Sequence, residues 1–265
     1  MSDGDRTRDR LDHNQELYQL SYAHRESSNL AIARSPLRYA CPMPGRDRTL
    51  LRREALGFAI GSFFFALGAV PGYLSLVGGV ADNVTFFIGS LFFTTAGLIQ
   101  LALTGRWWPG RWKSAADRDD WWAAATQSVG TFAFNISTGT TLFAHLSAEQ
   151  ARDHVWRPDM IGSILFLVAS YLAIRAMRGV NRLWEPGSRD WWISWLNMTG
   201  SVFFGISAIA SYVDPSSGQP LNVEWINIGT FLGALCFLAG GVLLWRSEAA
   251  AEDPGPAGDR TGRPG

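Results

Sequence analysis

One short stretch of this 265-residue sequence places metal-ligating side chains at helical spacing. In HLSAEQARDH, His145, Glu149 and Asp153 recur at every fourth residue, and His154 follows directly. A helix would align these imidazole and carboxylate groups on one face, where they could ligate a divalent metal ion. Because the same spacing is common on any solvated helical extension, we favour a plain surface helix and predict neither a metal site nor a cofactor.

A second set of polar side chains lies within apolar sequence, where it could line a path for a small neutral solute. These residues are Gln127, Asn135 and Asn197. Alternatively, they form hydrogen bonds between helices, each worth about 0.6 kcal/mol in a membrane. We favour hydrogen bonding between helices and keep the polar path as the alternative.

The sequence offers little for catalysis. It contains no Ser-His-Asp order, no phosphate-binding glycine loop and no paired carboxylates within its apolar runs, so we predict that the protein is not an enzyme. Its two cysteines, Cys41 and Cys236, give neither a disulfide framework nor metal-ligand spacing. The formal net charge is zero, which gives no field for attracting nucleic acid, and we predict no such partner.

The elements that must position these residues are long apolar runs. A helix of about 20 residues crosses the hydrocarbon layer of a membrane. Six runs approach or exceed this length with almost no interior charge, which predicts an all-α polytopic transmembrane bundle of six helices in the lipid bilayer. The runs are approximately 55–77, 84–104, 122–145, 159–177, 191–213 and 222–245.

Three charged residues lie near the ends of these runs rather than at their centres. Asp159 and Glu224 stand at the starts of the fourth and sixth runs, and Arg175 lies near the end of the fourth. Charge at the centre of a membrane span is costly, whereas a residue near the span's end can reach the interface. We interpret these residues as helix caps or interface anchors.

Basic residues in the connections predict the orientation. Arginine and lysine precede the first run and occupy the connections between the second and third and between the fourth and fifth runs. The connections GGVADN and DPSSGQP carry none, and the remaining connection has only Arg152 and Arg157. The positive-inside rule then places both termini in the cytoplasm, and we predict a plasma-membrane protein. Segments 1–53 and 247–265 are predicted to be disordered cytoplasmic tails because of their composition.

Each run contains a glycine followed by a serine or threonine. A phenylalanine stands four residues after the glycine in the first five runs, and Gly233 breaks this pattern in the sixth. Because the motifs recur about every 70 residues in alternate runs, we predict three tandem hairpins at about 54–105, 120–178 and 190–246. The motif residues are Gly61, Ser62, Phe65; Gly89, Ser90, Phe93; Gly130, Thr131, Phe134; Gly162, Ser163, Phe166; Gly200, Ser201, Phe204; and Gly229, Thr230.

The motif predicts how the helices pack. Glycine opens a shallow groove and the phenylalanine four residues later supplies a large side chain on the same face. Helices in lipid associate through such small residues and through a few hydrogen bonds, so we assign the motif to helix packing. Each motif lies near the start of its run, and antiparallel neighbours should therefore place each glycine against the C-terminal half of the next helix.

Two stretches resemble the YrhK-like membrane domain family. They are FAIGSFFFALG at 58–68 and FFIGSLFFTTAGLIQL at 86–101, with GSxxF-type turns in each helix. The resemblance implies a two-helix membrane unit and brings no activity, cofactor or catalytic residue with it. We therefore predict a non-catalytic structural or accessory membrane component that associates with itself or with other membrane helices. The alternative is a small-solute transporter or channel with a polar path between the hairpins.

Overall fold

The computed structural model describes residues 47–143, 146–178 and 184–252, and most of these residues are helical. No β-strand occurs among them, which confirms the all-α prediction. The six long helices are α1 (Arg48–Gly68), α2 (Gly79–Leu103), α3 (Ala115–Phe143), α4 (Arg157–Arg178), α5 (Arg189–Ala210) and α6 (Val223–Glu252).

The first helix begins before its predicted run of 55–77 and ends before residue 77, and the last helix continues past its predicted end. The Asp47 carboxylate accepts hydrogen bonds from the backbone amides of Thr49 and Leu50 at 2.9 and 3.4 Å, and so caps α1. As a result, α1 begins at Arg48, inside the segment predicted to be a disordered tail. At the other end, α6 continues to Glu252 rather than ending near residue 246. Segments 1–46 and 253–265 lie outside the described residues.

Four described helical segments are long and apolar enough to cross a membrane. Helices α1 and α3 do not reach the same apolarity. The first turns of α1 carry three arginines and Glu54, and α3 contains many threonine, serine, asparagine and glutamine residues. The four segments are Gly79–Leu103, Ala148–Met177, Arg189–Ala210 and Val223–Ser247.

Short helical pieces join some of the long helices. A five-residue helix, Tyr73–Val77, separates α1 from α2. A short helix, Ala148–Ala151, leads through a π-helical turn, Arg152–Trp156, directly into α4. Ser147 and Gln150 form a reciprocal capping box at the start of this segment, which fixes where the helix begins.

The six long helices form a closed ring in chain order. Each helix packs against its neighbours in sequence, and α6 also packs against α1. The main buried cluster lies where the inward faces of these helices meet. Large apolar residues such as Leu56, Val129 and Ile136 are exposed instead, as is typical of positions that face lipid.

Candidate functional site

The motif glycines stand directly opposite one another in the first two helix pairs. A Cβ atom built on Gly61 would lie 2.9 Å from the Gly89 carbonyl oxygen, and one built on Gly89 would lie 3.1 Å from the Gly61 carbonyl oxygen. Gly130 and Gly162 show the same reciprocal approach at 3.2 and 3.1 Å. Backbones this close leave no room for a side chain at these positions.

The prediction that each glycine faces the C-terminal half of its neighbour is therefore wrong. It assumed that each motif lies near the start of its helix. Helix α1 begins at Arg48 and α3 at Ala115, so Gly61 and Gly130 lie near the middle of their helices. In an antiparallel pair, two glycines near mid-helix meet at the same depth.

The motif of α6 was also placed in the wrong register. Gly233, rather than Gly229, stands opposite Gly200, and the two built Cβ atoms would lie 3.0 and 2.9 Å from the opposing carbonyl oxygens. Phe237, four residues after Gly233, takes the place of the motif phenylalanine. Gly229 instead approaches the Phe203 carbonyl oxygen, with a built Cβ at 2.8 Å. The pair Gly233 and Phe237 has the motif spacing but lacks the following hydroxyl residue, which concealed it in the sequence.

Six phenylalanines, one from each long helix, meet at the centre of the ring. Each has a side chain between 1 and 6% exposed, so these rings are among the most buried large groups of the described residues. Together they fill the space between the helix pairs. They are Phe65, Phe93, Phe134, Phe166, Phe204 and Phe237.

The six rings form two triangles. The rings from α1, α3 and α5 (Phe65, Phe134 and Phe204, here the odd triangle) have centroids 5.9 to 6.3 Å apart. The rings from α2, α4 and α6 (the even triangle) have centroids 5.6 to 6.0 Å apart. Contacts of 5.2 to 5.3 Å within the helix pairs join the two triangles. This arrangement closes the axis of the bundle with aromatic rings.

Several motif hydroxyl groups hydrogen-bond between neighbouring helix pairs. The Ser90 hydroxyl of α2 lies 3.0 Å from the Thr138 hydroxyl of α3. The Ser201 hydroxyl of α5 lies 2.9 Å from the Ser170 hydroxyl of α4 and donates to the α4 backbone. Ser62 is also fully buried, yet its hydroxyl has no hydrogen-bond partner in the described part of the chain.

The remaining motif hydroxyls bond either within their own helix or across to a neighbouring helix. Thr131 donates to the Ser128 carbonyl oxygen of its own helix at 2.7 Å. Ser163 donates across to the Phe204 carbonyl oxygen at 3.4 Å, and Thr230 lies 2.8 Å from the Ser207 hydroxyl. These groups are therefore engaged in packing contacts.

The three residues of the candidate polar path have different neighbours. Asn135 donates through Nδ2 to the Thr94 hydroxyl of α2 at 2.7 Å. Asn197 borders α6, where a Cβ built on Gly240 would lie 3.1 Å from Asn197 Oδ1. Gln127 is 7% exposed within α3. The structure thus directs Asn135 and Asn197 toward different helices and does not show them lining one continuous path.

An ion pair that the sequence analysis did not single out joins α3 to α4. The buried Asp119 carboxylate lies 3.2 Å from the Arg175 guanidinium and 3.0 Å from that of Arg118. Arg175 was interpreted as an interface anchor, and the structure gives it this partner. One sequence signal could have predicted this ion pair: the two residues carry opposite charges and lie at the ends of helices that pack antiparallel.

The candidate metal-binding stretch is only partly described, because His145 lies outside the described residues. The Asp153 carboxylate is 3.0 Å from Arg152 and 3.3 Å from Arg157, and Glu149 is 3.7 Å from Arg152. These two carboxylates therefore have arginine partners. Within the ranges that the structure describes, no three metal-ligating side chains come together.

The fold and these contacts define the class of protein. The described chain is an all-helical protein with several helices of membrane-spanning length and composition, and we identify it as a membrane protein. Comparison with protein-family models, curated proteins and solved structures gave no match.

Proposed function

We propose that this protein is a multi-pass component of the plasma membrane with a structural or accessory role and no catalytic activity. It crosses the bilayer six times as three tandem hairpins, with both termini in the cytoplasm. Its inward surfaces serve packing, and its outward surfaces are available to lipid, to further copies of the chain or to other membrane helices.

The single observation that carries this proposal is the closed axis of the bundle. A conduit for solute needs a polar or hydrated passage between the repeated units. Here six buried phenylalanine rings with centroid separations of 5.2 to 6.3 Å occupy that position. The adjoining glycines and hydroxyl groups are used in helix contacts, so the central residues support assembly of the bundle rather than transport.

The tryptophan pairs at the starts of the second and third helix pairs have the same burial and ring geometry, which supports a tandem repeat. In DWWAAATQSVGT and DWWISWLNMTGS, the first tryptophan is buried and the second is about half exposed, at 44 and 47%. The two rings of each segment also meet edge to face at 4.9 Å in both places. With the three facing glycine pairs, these contacts favour three hairpins of common design, similar to the YrhK-like membrane domain.

The closed ring supports six membrane spans. Helices α1 and α3 are less apolar than the other four, but each packs along a neighbour that has membrane-spanning length and composition. Their polar residues include groups turned toward other helices, such as Asn135 and Ser128, whose hydrogen bonds replace contact with water.

Cysteine accessibility tests the orientation. In a protein with Cys41→Ser and Cys236→Ala, we expect Pro215→Cys to react in intact cells with a membrane-impermeant maleimide. Gly110→Cys should react only after the membrane is opened. Both positions are exposed on the protein surface, so only the membrane should limit the access of the reagent to either cysteine. The reverse labelling pattern would contradict the proposed orientation, and labelling of both from one side would contradict the number of spans.

Flux measurements test the functional proposal. Purified protein reconstituted into liposomes should pass glycerol, urea and small ions no faster than protein-free liposomes. Saturable flux that falls in Gln127→Leu and Asn135→Leu, with unchanged amounts of folded protein, would overturn the proposal and establish the polar path.

A further inference from the structure

A small polar cavity borders the odd triangle of phenylalanines. Its volume is about 20 Å³, which is room for one occupant the size of a water molecule. It lies toward the end of the bundle where α4 and α6 begin. Besides the three rings, its lining consists of Asp159, Ser163, Ser207 and Thr230.

The cavity exists because the three helix pairs differ at one position. Three residues before the facing glycines of α2, α4 and α6 stand Phe86, Asp159 and Thr230, respectively. The Phe86 ring packs on Phe65 with centroids 5.6 Å apart and lies against Gly68. In the other two pairs, a carboxylate and a hydroxyl group take the place of a ring. The polar residues are thus a departure from the apolar filling of the first pair.

The hydroxyl groups present acceptor oxygens rather than hydrogens to the cavity. Ser207 donates its hydrogen to the Ile226 carbonyl oxygen at 2.9 Å, and Ser163 donates to the Phe204 carbonyl oxygen at 3.4 Å. Thr230 lies 2.8 Å from the Ser207 oxygen and can donate to it. Lone pairs of these oxygens therefore remain free to accept a further donor or to ligate a cation.

Asp159 supplies the one carboxyl group of the lining, and the nearby basic residues do not pair with it. Arg152 and Arg157 both pair with Asp153, at 3.0 and 3.3 Å. Within the described ranges, Asp159 forms no ion pair. An ionised carboxylate among these helices is costly unless a positive charge compensates it.

We propose that this cavity binds one monovalent cation of about the size of Na⁺. Asp159 is its charged ligand, and Ser163, Ser207 and Thr230 supply neutral oxygen ligands. Oxygen ligands suit hard cations, and the single carboxylate matches a single charge. Ca²⁺ takes about six to eight oxygen ligands and would leave excess positive charge in this site. This binding goes beyond the proposed structural role and does not require transport.

Thermal stability in lipid nanodiscs tests the site. NaCl is titrated against N-methylglucamine chloride at constant ionic strength, because a ligand that binds only the folded state raises Tm as its concentration rises. We expect Na⁺ to raise Tm of the unaltered protein. Asp159→Asn should abolish this response, whereas Asp153→Asn, a nearby carboxylate outside the cavity, should retain it.

Two further measurements keep the test decisive if Asp159→Asn does not fold. Thr230→Val keeps the carboxylate and should weaken the apparent Na⁺ affinity about tenfold through loss of one ligand oxygen. Equilibrium dialysis with radioactive sodium should show one bound ion per unaltered chain. The proposal is overturned if the unaltered protein shows neither bound sodium nor a Tm response. It is also overturned if infrared difference spectra show a protonated Asp159 carboxyl at high Na⁺ concentration.

Discussion

Gly130 of α3 and Gly162 of α4 face each other so closely that each would place a Cβ atom within about 3.2 Å of the other's carbonyl oxygen. The Phe166 ring covers Gly130, and the Phe134 ring covers Gly162. Each helix therefore offers a groove to the phenylalanine of its partner. This reciprocal fit fixes the depth at which the two helices pair and brings both rings to the bundle centre.

Gly130→Ala should destabilise the protein. The new methyl group would lie 2.8 Å from the Phe166 ring and 3.2 Å from a backbone oxygen, so the helices must separate. We expect the free energy of unfolding to fall by about 1–3 kcal/mol, as for other overpacked sites. Titration with sodium dodecyl sulfate in mixed micelles measures the change.

Gly110→Ala is the matched control for this experiment. Gly110 has no atom within 4 Å of a built Cβ, so its substitution should leave the unfolding curve nearly unchanged. Equal curves for Gly130→Ala and the unaltered protein would contradict the packing role of the facing glycines.

Phe134→Ala should be more damaging than Phe132→Ala. Phe134 is 4% exposed, and its ring centroid lies 5.2 Å from that of Phe166 and 5.9 Å from that of Phe204. Phe132, on the same helix, is 46% exposed. Truncation of a buried phenylalanine leaves a cavity and costs about 3–5 kcal/mol. The same detergent titration should show this loss for Phe134→Ala and a small change for Phe132→Ala. A similar effect of the two substitutions would show that the rings do not form the core.

Ser201→Ala and Ser62→Ala should differ in their effect on the free energy of unfolding. Both serines follow a motif glycine, and both are fully buried. The Ser201 hydroxyl bonds to the Asn197 and Phe166 carbonyl oxygens at 2.8 and 3.2 Å. Its loss should cost about 0.5–1.5 kcal/mol. The Ser62 hydroxyl has no partner among the described residues, so Ser62→Ala should be neutral or stabilising. A larger loss for Ser62→Ala would refute this assignment.

The sequence predicted the helical class because long apolar runs are a local feature, and the spacing of glycine, hydroxyl residue and phenylalanine is local in the same way. It misplaced the motif in α6, where Gly229 and Thr230 imitate the local pattern. Only the backbone approach between Gly200 and Gly233 decides the register, and that contact depends on how two helices pair.

Contacts between residues far apart in the sequence could not be predicted from local spacing. The ion pair of Asp119 with Arg175 requires that α3 and α4 align their ends. The polar cavity requires Asp159 and Thr230 to meet Ser207, a residue of a third helix. The sequence placed Asp159 near the end of a span but could not show what it faces.

The loop between α5 and α6 should loosen in acid. The Asp214 carboxylate accepts hydrogen bonds from the Ser216 backbone amide and hydroxyl at 2.8 and 2.7 Å, and these bonds lower the pKa of Asp214 in the folded loop. Because the pKa is lower in the folded loop, the ionised Asp214 carboxylate stabilises that loop at pH values above the unfolded pKa of about 3.9. This stabilisation is lost as the pH falls through the lower folded value.

A spin label at Gln219→Cys should therefore stay ordered at neutral pH and become mobile only below about pH 3.9. Asp214→Asn keeps an acceptor oxygen without a titrating group, so its label should show no such transition. A transition of the unaltered loop near neutral pH, or the same transition in Asp214→Asn, would exclude Asp214 as the group responsible.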